Sequence, residues 1–122
     1  DVREALRVAA AREADAVVSV VPARHHPYWT RRVEADGRLV PFLPDAPQVA
    51  RRQDLPPAYA LNGAIYLVRS DVLLQRRTWY TDRTYAVVMP PERSVDIDTP
   101  FDLDLAAALL ARLRREQGVP GR

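Results

Sequence analysis

Apolar residues recur at Val2, Leu6, Ala9 and Ala10, a helical spacing that predicts an amphipathic helix over residues 2–13. Asp1-Val2-Arg3-Glu4 ahead of it has the form of a capping box. Ala16-Val17-Val18-Ser19-Val20-Val21 follows, a β-branched run closed by Pro22. Such an unbroken run suits a strand covered on both faces. Gly63–Val68 and Tyr85–Met89 predict a second and a third strand, with Ser70 expected to cap a short turn through Asp71–Leu74. Near the end, Thr99 can cap, Pro100 suits the first helical position, and Asp102 completes a Thr-x-x-Asp box. Phe101, Leu105, Leu109 and Leu113 then repeat every four residues, beside Ala106 and Leu110, and Gly118 and Pro120 are expected to stop the helix. The pattern predicts an α/β fold with a mostly parallel sheet flanked by helices.

Between Pro22 and Pro57 the pattern changes, and seven of the eleven prolines fall there. Thr30–Glu34 and Arg38–Phe42 flank Ala35-Asp36-Gly37, and Asp-Gly between two short alternating runs signals a β-hairpin. The segment therefore reads as a hairpin excursion from the main sheet. Compact domains rarely carry so long a stretch uncovered, so a partner subunit is expected over it. Exposed Tyr28, Trp29 and Phe42 would supply the contact.

Composition narrows the classes. A chain of 122 residues is one domain by length, 48% hydrophobic and 28% charged, as globular proteins are. No stretch is long and apolar enough for a membrane span, and no signal peptide opens the chain, so the expected compartment is the cytoplasm. Without cysteine there is neither a disulfide framework nor a thiolate metal site. Every one of the 18 basic residues is Arg, but they alternate with 16 acids, and the net charge is only +2. That distribution does not make a nucleic-acid interface. Ser19, Ser70 and Ser94 lack the Gly-x-Ser-x-Gly setting of a serine hydrolase. His25 and His26 have no third ligand in the sequence to make a metal site with them, so a structural or pocket-lining role is expected.

The sharpest chemistry lies in Val95-Asp96-Ile97-Asp98-Thr99. In extended chain Asp96 and Asp98 would project together while Ile97 turns to the core. Two adjacent carboxylates repel unless a hard divalent cation sits between them, and the helix start beyond them favours phosphate. Carboxylates, Mg²⁺ and phosphate together point to phosphoryl or nucleotidyl transfer. Acids that merely solvate the helix start are the plainer reading of the same spacing.

His25-His26-Pro27-Tyr28-Trp29, Arg51-Arg52-Gln53-Asp54-Leu55-Pro56, Asn62-Gly63-Ala64-Ile65-Tyr66 and Ser94-Val95-Asp96-Ile97-Asp98-Thr99 occur in that order. Together they resemble the C-terminal half of the acylneuraminate cytidylyltransferases, the CMP-sialic acid synthetase family. The resemblance implies a fold of the nucleotide-diphospho-sugar transferase type. It also implies transfer from CTP to a nine-carbon 2-keto sugar acid, such as sialic acid or legionaminate, with release of pyrophosphate. By the same resemblance, Asp96 and Asp98 match the catalytic, Mg²⁺-binding pair. Arg52 matches a contact to the sugar acid, and Gln53, Asn62 and Gly63 the same wall. Trp79 and Tyr80 match aromatics that reach a partner's sugar pocket, and residues 27–53 match a dimerisation segment of a homodimer. Ala60 and Trp29 stand where some members carry Arg and Lys. No counterpart of the family's Gly- and Lys-containing CTP loop is found, so residues 1–122 read as the C-terminal part of one cytidylyltransferase domain, inactive alone. The alternatives are a cytidylyltransferase for an eight-carbon sugar acid, or a non-catalytic dimerisation or sugar-binding module.

Overall fold

A computed structural model describes residues 1–47, 49 and 51–116. The expected stop at Gly118 and Pro120 lies outside them. The chain divides into two compact units, residues 1–21 with 61–122, and residues 22–60.

The first unit is built around β1 (Ala16–Pro22). Ala16 to Val20 are all buried, and Val17 and Ser19 have no exposure at all, as the unbroken apolar run predicts. This strand is central, flanked by β4 (Tyr59–Val68) and β5 (Thr84–Val88). It pairs in parallel with β5, from Ala16 opposite Thr84 to Val20 opposite Val88. Against β4 it runs the other way: the Arg69 N–H donates to the Asp15 carbonyl at 3.0 Å, and the Ile65 N–H to Ser19 Oγ at 2.7 Å. The sheet is thus mixed, not mostly parallel. A parallel return is usually made by a crossover helix. The connection from β1 to β4 contains no α-helix among its described residues, and β4 returns antiparallel. The flanking strands are covered on one side only, with Val87 buried and Val88 exposed in β5.

Helix α1 (Val2–Arg12) packs against β5, but through a face turned from the one its spacing predicts. Ala5 is buried, with Val8 and Ala9 partly so, against Val17, Val87, Ile65 and Tyr85. Val2 and Leu6 are exposed. Small Ala5 allows the helix to approach closely, and the bulkier side chains are left outside. The capping box at its start does not form, since Asp1 pairs bidentately with Arg93 at 2.9 Å and Glu4 pairs with Arg7. Ser70 likewise is not a cap: α2 (Ser70–Arg76) begins with it, and Arg69 stands at the cap position, its guanidinium on Asp71. The box at α3 (Pro100–Glu116) does form. The Thr99 N–H and Oγ donate to Asp102 Oδ2 at 2.9 and 2.6 Å, and the Asp102 N–H returns to Thr99 Oγ at 3.3 Å. Ala106, Leu109 and Leu113 form its half-buried stripe, while Phe101 and Leu105 are exposed.

The second unit holds the expected hairpin, β2 (Arg31–Val33) against β3 (Leu39–Pro41). Gly37 at φ 85° supplies the left-handed residue that its tight loop needs, with its N–H on the Glu34 carbonyl. The Phe42 N–H on the Thr30 carbonyl extends the pairing by one step. His26 is buried and structural. Its Nδ1 accepts from the Tyr28 N–H, so its Nε2 carries the proton and donates to the Pro56 carbonyl at 3.0 Å. Tyr28, Trp29, Arg31, Pro41, Pro44 and Val49 surround a cavity of about 300 Å³.

Candidate functional site

Three of the residues singled out by motif come together in the first unit. Gly63 interrupts β4 with φ 69°, in the left-handed region. A β-carbon added there would lie 3.4 Å from Asp96 Oδ2, an ordinary contact, so Gly63 and that carboxylate are neighbours. Asn62, next in the chain, is buried with its whole carboxamide engaged. Its Oδ1 accepts from Ser19 Oγ at 2.6 Å and the Ala64 N–H at 3.3 Å. Its Nδ2 donates to Ser94 Oγ at 2.9 Å and approaches Met89 Sδ at 3.4 Å. Both ends of the Asn62 carboxamide are thus tied inside the unit.

The stretch carrying the two acids is irregular chain, not strand. Past β5 it makes one 3₁₀ turn, Pro91–Arg93, pinned by Ser94 Oγ on the Pro90 carbonyl at 2.8 Å and by Arg93 on Asp1. Asp96 Oδ1 then accepts the Ile97 N–H at 3.1 Å, a local bond that competes with extended chain. Ile97 consequently points outward, 53% exposed, against the expectation that it turns to the core. Asp96 and Asp98 are both exposed, and neither forms an ion pair among the described residues. The helix start beyond them is capped by Thr99 and Asp102, so capping is not what these acids do.

Among the described residues no three His, Asp or Glu side chains gather into a metal cage. Two exposed carboxylates without a guanidinium partner, one beside a bare glycine, are still a donor set that fits Mg²⁺, a cation bound through one or two carboxylates plus water and phosphate oxygens.

Trp79 and Tyr80 lie between α2 and β5. The Trp79 ring lies 5.4 Å from that of Tyr66 of β4, tilted by 55°, and its carbonyl accepts from Thr84 Oγ, while the Tyr80 ring is half out in solvent. Arg52 and Gln53 belong to the second unit, in a 3₁₀ turn over Arg52–Asp54. Arg52 donates through its two terminal nitrogens to the Arg24 and Ala23 carbonyls, both at 3.0 Å, leaving further N–H groups free for a carboxylate. Sequence reasoning missed the hydrogen bonds that Ser19 and Ser94 make to Asn62. Asn62, the partner they share, lies 43 residues from Ser19 and 32 from Ser94, a separation no local pattern reveals.

No protein-family model matches the chain. Individual relatives do. The N-acylneuraminate cytidylyltransferase of Streptococcus agalactiae serotype V is 34% identical over 101 residues, covering 83% of this chain and 24% of the relative. The CMP-N,N'-diacetyllegionaminic acid synthase of Legionella pneumophila is 32% identical over 96 residues, 77% of this chain and 40% of the relative. The post-translational flagellin modification protein B of Campylobacter coli is 26% identical over 110 residues, 90% of this chain and 46% of the relative. The streptococcal name is that of a nucleotidyltransferase. Over most of its length the chain is thus similar to acylneuraminate cytidylyltransferases, and it spans about a quarter to just under a half of the length of these relatives. Among the described residues no helix is long and apolar enough to cross a membrane.

Proposed function

We propose that the protein acts as a cytidylyltransferase, joining CTP to a nine-carbon 2-keto sugar acid of the sialic or legionaminic type. The observation that carries this reading is the close approach of Gly63 to Asp96, both within the motifs that resemble those of the acylneuraminate cytidylyltransferases. In this reaction the sugar's anomeric hydroxyl attacks the α-phosphorus of CTP, a P–O bond forms to the sugar, and the bond to pyrophosphate breaks. Asp96 and Asp98 would hold Mg²⁺, which when bound neutralises charge on the phosphate oxygens. Pro100 and the Thr99–Asp102 box hold the start of α3 immediately after the pair, where anions are favoured.

The remaining assignments belong to the same proposal. Arg52, with donors to spare, presents a guanidinium to the sugar carboxylate, and Gln53 lies beside it in the chain. Trp79 and Tyr80 supply aromatic surface to the sugar pocket of a partner, residues 27–53 supply the homodimer contact, and the CTP-binding loop is supplied by sequence outside these 122 residues. The working compartment is the cytoplasm.

The test is turnover of CTP with N-acetylneuraminate or diacetyllegionaminate by the intact protein, followed as pyrophosphate release. Asp98→Asn should melt like the parent yet lose at least about 100-fold in kcat, about 2.7 kcal/mol of barrier. Raised Mg²⁺ should restore part of it. A stable and fully active Asp98→Asn would remove the carboxylate pair from the chemistry.

A further inference from the structure

The buried polar groups of the first unit form a single directed line. The Ile65 N–H donates to Ser19 Oγ, and Ser19 Oγ donates to Asn62 Oδ1. Asn62 Nδ2 donates to Ser94 Oγ, and Ser94 Oγ donates to the Pro90 carbonyl. Nothing in it is left unpaired among the described residues. The Ala64 N–H on Asn62 Oδ1 fixes which way the carboxamide faces, since a flipped amide would set donor against donor. Ser19 is wholly buried and Asn62 nearly so, where an unmade hydrogen bond is expensive and a made one confines both partners. The line runs from β4 to Ser19 on the central strand, back to β4 at the residue before Gly63, and on to Ser94, two residues before Asp96, where it closes on Pro90.

We infer that Ser94, held by Asn62 and through it by Ser19, is a positioning residue that sets where the Asp96 carboxylate stands beside Gly63. This rests on the role proposed above for Asp96. Two exposed acids on irregular chain have no ladder to aim them. What does fix their approach is the tie at Ser94, one end of which is anchored in the most buried part of the sheet. Ser94→Ala removes the tie with little else, because Asn62 Nδ2 keeps Met89 Sδ and the Pro90 carbonyl keeps the Arg93 N–H.

The experiment compares the intact protein with Ser94→Ala and Ser94→Thr, the latter retaining the hydroxyl. Without metal, backbone ¹⁵N order parameters at Val95–Asp98 should stay near about 0.85 in the parent and in Ser94→Thr, and fall toward about 0.6 in Ser94→Ala. A residue that merely added global stability would lower the melting temperature and leave those values unmoved, and that result overturns the inference. Mn²⁺ binding followed by electron paramagnetic resonance should weaken about fivefold in Ser94→Ala and recover in Ser94→Thr. If Asp96→Asn abolishes Mn²⁺ binding while Ser94→Ala leaves it intact, positioning by Ser94 is wrong. If Asp96→Asn leaves Mn²⁺ binding intact, the proposed role of Asp96 fails, and the order parameters still decide for or against Ser94.

Discussion

Gly63 holds a left-handed backbone that side-chain-bearing residues adopt at a cost of about 1–2 kcal/mol. Its missing β-carbon would only touch Asp96 Oδ2, at 3.4 Å, so the expected penalty of Gly63→Ala comes from backbone rather than collision. Urea unfolding should show a loss of about 1–2 kcal/mol, and unchanged stability would mean that β4 can abandon the bend. At this scale the motifs were legible and the wiring was not. Asn62, Gly63 and Asp96 are each readable as motif residues, but Asn62 reads as a surface that a sugar might meet. Its burial follows from Ser19 and Ser94, which are distant in sequence. Ile97 departs from its pattern for a local reason, because alternation assumes a strand and Asp96 bonds its own neighbour's N–H instead.

At the scale of elements, sequence signals held where the partners are neighbours in the chain. Thr99 and Asp102 find one another across a single turn, and β2 and β3 across one short loop, as their sequences predict. The Asp1–Glu4 box has the same local form, yet Arg93 captures Asp1 from the far end of the unit, a competition no local pattern reveals. Thr99→Ala is expected to lower stability by about 1 kcal/mol in thermal or chemical melts. The hydrogen bond from Thr99 holds the Asp102 carboxyl below its ordinary range. A carboxyl lowered on folding adds stability above the unfolded-state value, and that contribution is lost as pH falls through the folded one. The parent should therefore lose its advantage over Thr99→Ala in acid melts below the usual carboxylate range, and an advantage constant down to full protonation would show that the bond to the carboxylate contributes nothing.

For the whole molecule, the α/β class was legible from the three apolar runs, whereas the direction of β4 was not, because the run of residues is the same in either sense. The second unit leaves Val33, Leu39 and Phe42 well exposed, apolar surface of the kind that pairing covers. Light scattering on the intact protein at micromolar concentration should give a dimer, reduced to a monomer by Phe42→Asp. A monomeric parent would take residues 27–53 out of the assembly. The parallel pairing of β1 has a further consequence, for the time course of synthesis. Ala16 to Val20 are made well before the residues they lie against, Thr84 to Val88. At ordinary elongation speeds the wait is about 3 to 14 seconds. Until Tyr59–Val68 is made, the stickiest stretch of the chain has neither of its neighbours, and from then until Val88 it has β4 alone. Nascent protein of this kind depends on chaperone shelter in proportion to how slowly its middle is translated, so slow codons between Pro22 and Ala60 should lower the yield of soluble product more than the same codons placed after Met89.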